Sequence, residues 1–256
     1  KNEKPSGGLL KELDKLTDGI VTSLFKAEGF KGDSGQEAFI RFNPRGKAKA
    51  GRLLLLGVGE ESDFKAHSVA ALAGTATRFF RKRDVKSFAI LPRLSGNALD
   101  AAQNAVQGAV TSQFELDKYK TKDKLEKAVN SMIVCVDGAK PADLKLGIER
   151  GEAIGESMNF TRDLANEPPN ILTPSEMARR AQAMAREVGL KCEVLDEARM
   201  LKMGMNSLMS VSLGSEQPAR LIVLRYTPAK NTGKKGDRKS TRLNSSHTDI
   251  SRMPSS

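Results

Sequence analysis

Residues 159–177 read NFTRDLANEPPNILTPSEM, and this stretch decides how the chain is divided. A helical pattern runs into it and stops at Pro168-Pro169, because proline offers no N–H to a helix and clashes with the preceding turn. A second helix starts at once. Thr173 stands at an N-cap, Pro174 at the first helical position, and Glu176 where a capping-box carboxylate reaches back to the cap N–H. Ending one helix and beginning another this abruptly marks a junction between a complete N-terminal domain and the start of a second one.

Working back from the junction, residues 143–164 predict a long helix with an apolar face of Leu144, Ile148, Ile154 and Met158. Gly147, Gly151 and Gly155 recur every four residues beside that face. Each glycine costs a helix about 1 kcal/mol relative to alanine, so three in register imply that another backbone packs closely there. Glu149, Arg150, Glu152 and Glu156 share the helix and rule out a membrane dimer motif.

Earlier in the chain, residues 9–25 have helical apolar spacing and 37–42 alternate as a strand does. Residues 52–59 (RLLLLGVG) form a continuous apolar run, as a strand covered on both faces reads. A helix is expected over 63–81, a strand over 85–91, a helix over 97–116 and a strand over 128–136. This alternation argues for an α/β layer with a largely parallel sheet. After the junction, the pattern predicts a helix over 174–188 closed by Gly189, a strand over 191–195, a short helix over 196–203, and strands over 208–213 and 221–226. The last strand has no helix after it to cover its apolar face.

The bulk properties fit a globular protein: 256 residues, 39% hydrophobic, 29% charged. No apolar run reaches the roughly 18 residues that a membrane span needs, and no secretory signal pattern is present. The first residue is Lys1 and not methionine, which leaves the natural start and any targeting segment open. Cys135 and Cys192 each sit in an apolar run and read as buried free thiols of a reducing compartment.

The formal charge of +11 points first to nucleic acid. Its distribution weakens that idea. Residues 237–256 carry net +2 and Lys230, Lys234 and Lys235 add +3, leaving +6 for residues 1–229. The excess reads as solvated surface.

Residues 237–256 (DRKSTRLNSSHTDISRMPSS) have no apolar periodicity and no caps. As protein they would be a polar disordered tail. They also resemble the in-frame translation of a short-read sequencing adapter, so the expectation is an artefactual tail after Gly236. His247 then carries no chemistry.

Candidate chemistry is sparse. His67 reads as a helix-face histidine, and neither cysteine has a ligand partner in sequence. Gly57-Val58-Gly59 is a piece of a phosphate loop without its third glycine, and Glu60 and Glu61 after it would repel phosphate. It reads as a strand-ending turn. Residues 212–217 (SLGSEQ) read as a turn. Asp163, Asn166 and Glu167 are acid or amide groups at the junction, with helix capping as their ordinary role. No catalytic, cofactor-binding or metal-binding residue is assigned in residues 1–236.

Three pieces of the sequence carry a resemblance: RDLANEPPNILTPSEMA at 162–178, AREVGLKCEVLDEARMLKMGMNSLMSVSLGSEQPARLIVLRY at 185–226, and more loosely GVG at 57–59. They resemble the cytosolic leucyl aminopeptidase family. Asn166-Glu167-Pro168-Pro169-Asn170 fits its N-x-P-x-N segment. In the run 203–215, Ser212 stands where the family more often has glycine. The resemblance implies an α/β protein in four parts. A macro-domain-like N-terminal domain covers 1–140, and a linking helix and junction cover 141–169. The truncated start of a zinc-peptidase-like catalytic domain covers 170–236, and the artefactual tail covers 237–256.

The resemblance further implies a cytoplasmic homo-hexamer in the full-length parent, acting on peptide substrates and removing N-terminal residues, leucine preferred. Two divalent metal ions, Mn2+ or Zn2+, would polarise the scissile carbonyl and supply a bridging hydroxide. The family's metal ligands and catalytic lysine and arginine follow the strand matching 221–226, and no position of this chain matches them. The chain itself is therefore expected to bind no metal and to be inactive. The alternative reading is a macro-like module that binds a nucleotide or nucleic acid.

Overall fold

Asp18 and Gly19 break the first amphipathic stretch in two. The helix expected over 9–25 is a pair, α1 (Gly8–Leu16) and α2 (Ile20–Ala27). Asp18 has φ 60° and Gly19 φ 81°, in the left-handed region that glycine enters freely and aspartate tolerates. The Asp14 carboxylate then accepts from the Thr22 amide and hydroxyl, both at 2.7 Å, and holds the start of α2. The apolar spacing continues across the break, so periodicity alone does not reveal it. The computed structural model describes residues 8–27, 29–44, 49–92 and 97–227. The artefactual-tail expectation for 237–256, His247 included, lies outside the described residues.

β1 (Glu37–Arg41) pairs antiparallel with β2 (Arg52–Leu56), from Glu37↔Leu56 to Arg41↔Arg52. The leucines of β2 do face two ways. Leu53 and Leu55 pack with Val21, Leu24 and Ile40, while Leu54 and Leu56 pack with Ala76, Phe80, Val85 and Val129. A single turn of 3-10 helix (Glu61–Asp63) precedes α3 (Ser68–Lys82), so the helix expected from 63 starts later, at Ser68. Val69, Ala73, Ala76 and Phe80 form its buried stripe at helical spacing.

β3 (Ser87–Ile90) pairs in parallel with β4 (Ser131–Val134), joined through α4 (Ala98–Ser112). The Asn97 side chain caps α4 by accepting from the Asp100 amide at 2.7 Å. The expected largely parallel sheet is replaced, among the described residues, by separate two-stranded sheets. Among the described residues, β3–β4 is the parallel pair and β1–β2 is antiparallel. Residues 42–51 join β1 to β2, fewer than the dozen or so that the crossover of a parallel pair needs.

α5 (Pro141–Ala165) is the long helix, starting at Pro141 rather than 143. Its three glycines are buried against α4. A β-carbon on Gly147 would stand 2.5 Å from the Leu99 carbonyl oxygen, and one on Gly151 2.5 Å from that of Gln103. At Gly155 it would meet the Val110 side chain at 2.8 Å. The close approach inferred from the glycine repeat is thus made by α4. The chain divides into two compact units, Lys1–Asn166 and Glu167–Ser256.

In the second unit, α6 (Pro174–Glu187) starts on the Thr173 cap, whose Oγ1 accepts from the Glu176 amide at 3.3 Å. β5 (Lys191–Leu195) is followed by α7 (Glu197–Lys202), capped by the Asp196 carboxylate, which accepts from the Arg199 amide at 2.9 Å. The strand expected over 208–213 is a helix, α8 (Asn206–Ser212). Met205 and Met209, one helical turn apart, both reach the cluster around Leu195 and Met200. A short apolar run cannot separate a strand from a helix segment, and here that i, i+4 pair fixes the outcome. β6 (Leu221–Arg225) returns antiparallel to β5, from Lys191↔Arg225 to Leu195↔Leu221.

Candidate functional site

The junction that stands out in sequence is built from ordinary backbone requirements, and its polar groups are engaged. Asn166 caps the C-terminus of α5, its Nδ2 donating to the Arg162 carbonyl at 2.7 Å. Asp163 is half-buried one turn earlier. Pro168 supplies a carbonyl to both the Ile171 and the Leu172 amide at 2.9 Å, which closes the turn after the two prolines. The Glu167 side chain is 1% exposed and accepts from Arg180 Nη1 at 2.8 Å.

Glu176 does not close a capping box. Its carboxylate turns to α6 itself, accepting from Arg179 Nε and Nη2 at 2.7 Å each and from Arg180 Nε at 2.8 Å. Hydrogen bonds from Arg179 first and Arg180 second hold its pKa down at about 2. The same carboxylate, with Glu167 next, raises Arg180 well above its ordinary value. Two guanidiniums are a stronger attraction than one cap N–H.

Sequence reasoning singled out neither Arg180 nor the pair that ties α5 to α4. Asn159 Nδ2 donates to the Val110 carbonyl at 3.0 Å, and Arg162 Nη1 donates to that of Thr111 at 2.9 Å. Both side chains reach carbonyls in the last turn of α4, where backbone donors run short, and the Val110 carbonyl also accepts from the Gln113 amide at 3.2 Å. Their i, i+3 spacing on α5 was the available signal.

The remaining candidates take structural roles or stand apart. The Gly57 amide donates to the Gln36 carbonyl at 2.8 Å and the Gly59 amide to that of Gly32 at 2.9 Å. A β-carbon on Gly57 would run into the Asp33 carbonyl. That glycine permits two loops to touch, and the amides a phosphate would need are occupied. Ser212–Leu213–Gly214–Ser215 is a turn closed by the Ser215 amide on the Ser212 carbonyl at 3.0 Å, and it follows a helix, not a strand. His67 is exposed at the N-cap position of α3, before the helix rather than within it.

The two cysteines are free, but the expectation of burial fails for both: Cys135 is exposed and Cys192 half-buried. Along β4 the even positions Met132 and Val134 face the core and the odd ones face out, and Cys135 continues the outward set. Among the described residues, no group of three or more His, Cys, Asp or Glu side chains is placed to hold a metal ion. No described helix is long and apolar enough to cross a membrane.

Comparison with known proteins matches two domains of one family in order along the chain. The cytosol aminopeptidase family N-terminal domain matches residues 1–123, and its catalytic domain matches residues 159–237. The chain belongs to the cytosol aminopeptidase family. Among curated members it is 43% identical over 185 residues to a probable cytosol aminopeptidase of Solibacter usitatus, covering 72% of this chain and 38% of that protein. A probable cytosol aminopeptidase of Alkaliphilus metalliredigens is 31% identical over 236 residues, covering 90% of this chain and 47% of the relative. This family member therefore spans less than half the length of either.

Among solved structures, a mutant of tomato leucine aminopeptidase superposes with a TM-score of 0.77 at 24% identity, over 90% of this chain and 46% of that one. That likeness establishes the mixed α/β fold. The bottromycin maturation enzyme BotP in complex with Mn matches with a TM-score of 0.66 at 26% identity, over 81% of this chain and 43% of its own. In this family member, the stretch 159–177 falls where the catalytic-domain match begins.

Proposed function

We propose that the protein to which this sequence belongs is a metal-dependent aminopeptidase that releases N-terminal residues from peptides, leucine preferred. The observation that carries the reading is the ordered match to both domains of the cytosol aminopeptidase family, over 1–123 and 159–237. The names of the relatives, cytosol aminopeptidases and leucine aminopeptidase, favour a cytoplasmic enzyme. A pair of divalent cations, Mn2+ or Zn2+, and assembly as a homo-hexamer belong to the same proposal. So does the partition into a macro-like domain over 1–140, a linking helix and junction over 141–169, and the opening part of a catalytic domain over 170–236.

The described residues do not themselves fit a divalent-metal site, since no cluster of ligating side chains is present among them. No hydrolytic step is assigned to them. Their part is structural: a first unit built around α3, α4 and α5, and the capped, ion-paired start of the catalytic unit.

Two assays separate the parts of this proposal. The 256-residue chain, purified and supplied with Mn2+ or Zn2+, is expected to leave leucyl peptides intact, and hydrolysis would contradict the assignment of no catalytic residue to it. The gene expressed in its full natural extent is expected to release N-terminal leucine in a chelator-sensitive manner. Absence of release with either metal sinks the aminopeptidase reading.

A further inference from the structure

One corner of the first unit gathers arginines. Arg41 and Arg52 face each other across the β1–β2 ladder, and both are exposed. Next to them the Phe42 amide donates to the Gly51 carbonyl at 3.0 Å. Hydrogen-bonded and non-hydrogen-bonded pairs alternate along an antiparallel ladder, so Arg41 and Arg52 are a non-hydrogen-bonded pair, the kind in which opposite side chains come closer. Phe39 and Leu54, two residues along on the same sheet face, pack against the cluster around Phe80 of α3. Arg83, the exposed residue that ends α3, reaches the same place. Its guanidinium carbon lies 3.5 Å from the centre of the Phe79 ring and 5.5 Å from that of Phe39, and its Nη1 donates to the Phe79 carbonyl at 3.2 Å. The Arg41 guanidinium carbon is 5.7 Å from the centre of the same Phe39 ring. Among the described residues, none of the three arginines has a carboxylate in ion-pair reach. Asp84, beside Arg83 in the chain, is held by Lys86 at 2.8 Å, and Glu37 stands at the far end of β1.

We propose that Arg41, Arg52 and Arg83 form a binding site for a phosphate group, carried by inorganic phosphate or by a small phosphate monoester. The site is independent of the aminopeptidase reading. Like charges directly opposite one another weaken a ladder, and no anion among the described residues offsets the repulsion between Arg41 and Arg52. An anion seated beside them would. Phosphate suits the three better than a lone carboxylate does, because it brings close to two charges and three acceptor oxygens. A guanidinium meets such oxygens with two parallel N–H donors. Arg83 is already restrained by its stacking on Phe79 and its bond to that residue's carbonyl, so less of its freedom is lost on binding.

The test is an NMR titration of the full 256-residue chain at neutral pH, following the arginine Nε–H signals. Inorganic phosphate is added in one arm and glycerol phosphate in the other, each against sodium chloride at equal ionic strength. Saturable shifts are expected at Arg41, Arg52 and Arg83 and not at Arg78, an exposed arginine earlier in α3. Equal dissociation constants in the two arms assign the site to phosphate itself, and a lower one for glycerol phosphate assigns it to an ester. Arg52→Gln is expected to weaken binding roughly three- to tenfold. By removing the repulsion it should leave the melting temperature of the first unit unchanged or raised. Arg83→Gln is expected to weaken binding by a similar factor, and it serves as the test if Arg52→Gln does not fold. Shifts that sodium chloride reproduces, equal shifts at Arg78, or unchanged affinity in both variants overturn the site. So does a lowered melting temperature in Arg52→Gln, which would give Arg52 a structural role.

Discussion

In the first unit α5 lies against α4 through three glycines, with carbonyl oxygens and valine side chains filling the space where β-carbons would be. In the second unit α6 is bound to the segment before it by Glu167, Glu176, Arg179 and Arg180. The first contact is selected by volume and is indifferent to pH. The second is selected by charge and fork geometry. The cores differ in the same direction. Among the described residues, the first unit has three buried clusters, while the cluster of the second is Leu195, Met200 and Met209 with a few partly buried neighbours. Leu201, Leu208, Val211, Leu213 and Tyr226 of the second unit remain exposed, Val211 by 84%. Apolar surface on that scale is one reason to expect the second unit to be the less stable.

That contrast is open to direct attack. The largest effect is expected from Met200→Ala. Met200 is 1% exposed at the centre of the small cluster, and truncating a buried methionine costs about 2–5 kcal/mol. Calorimetry should show loss of the second unit's transition with the first unit's unmoved, and a shift of both would break the division into two stability units. Next comes Gly151→Ala, whose β-carbon would press on the Gln103 carbonyl and the Val106 side chain. Overpacking of about 1–3 kcal/mol, less about 1 kcal/mol gained in helix propensity, leaves a net loss in the first unit. A raised first transition would mean that α4 gives way freely.

Thr173→Ala removes the α6 cap and should cost the second unit about 1 kcal/mol, read from the denaturation midpoint, with Thr173→Ser close to native. The smallest effect is electrostatic. Glu176 has a folded pKa of about 2 against an ordinary 4.5, so its contribution is complete above pH 4.5 and is lost as pH falls towards 2. Glu176→Gln should flatten the second unit's acid dependence in that window, while the native carboxyl titrates by NMR with a midpoint near 2. A midpoint near 4.5 would dissolve the ionic half of the contrast.

How much of this was legible in sequence follows the same divide. The glycine repeat of α5 and the Thr173-Pro174 start of α6 were readable because each records a local requirement: no room for a side chain, or a donor needing an acceptor. The mixed fold class was readable from the alternation of elements. The division of residues 9–25 was not, because Asp18-Gly19 leaves the apolar spacing intact across a turn. The α8 helix was missed because its identity depends on Met205 and Met209 finding Leu195 and Met200, partners that lie elsewhere in the chain. Arg180 was missed for the same reason: its second carboxylate, Glu167, lies beyond the helix that carries it. Cys135 was misjudged because an apolar run conceals which of its alternate positions face out.

Residues Leu53 to Leu56 of β2 serve two clusters by turns, one on each face. Since all four are leucine, a slip of one residue would return leucine to three of the four positions and bring Arg52 or Gly57 to the fourth. The interior of the strand carries little information about its own alignment. That information has to come from its ends. Gly57 is the residue with the Asp33 carbonyl where a β-carbon would go, and its amide is tied to Gln36. At the other end Arg52 pairs with Arg41 at the exposed rim. One glycine that admits no neighbour in its place thus acts as the stop against which four interchangeable leucines are counted.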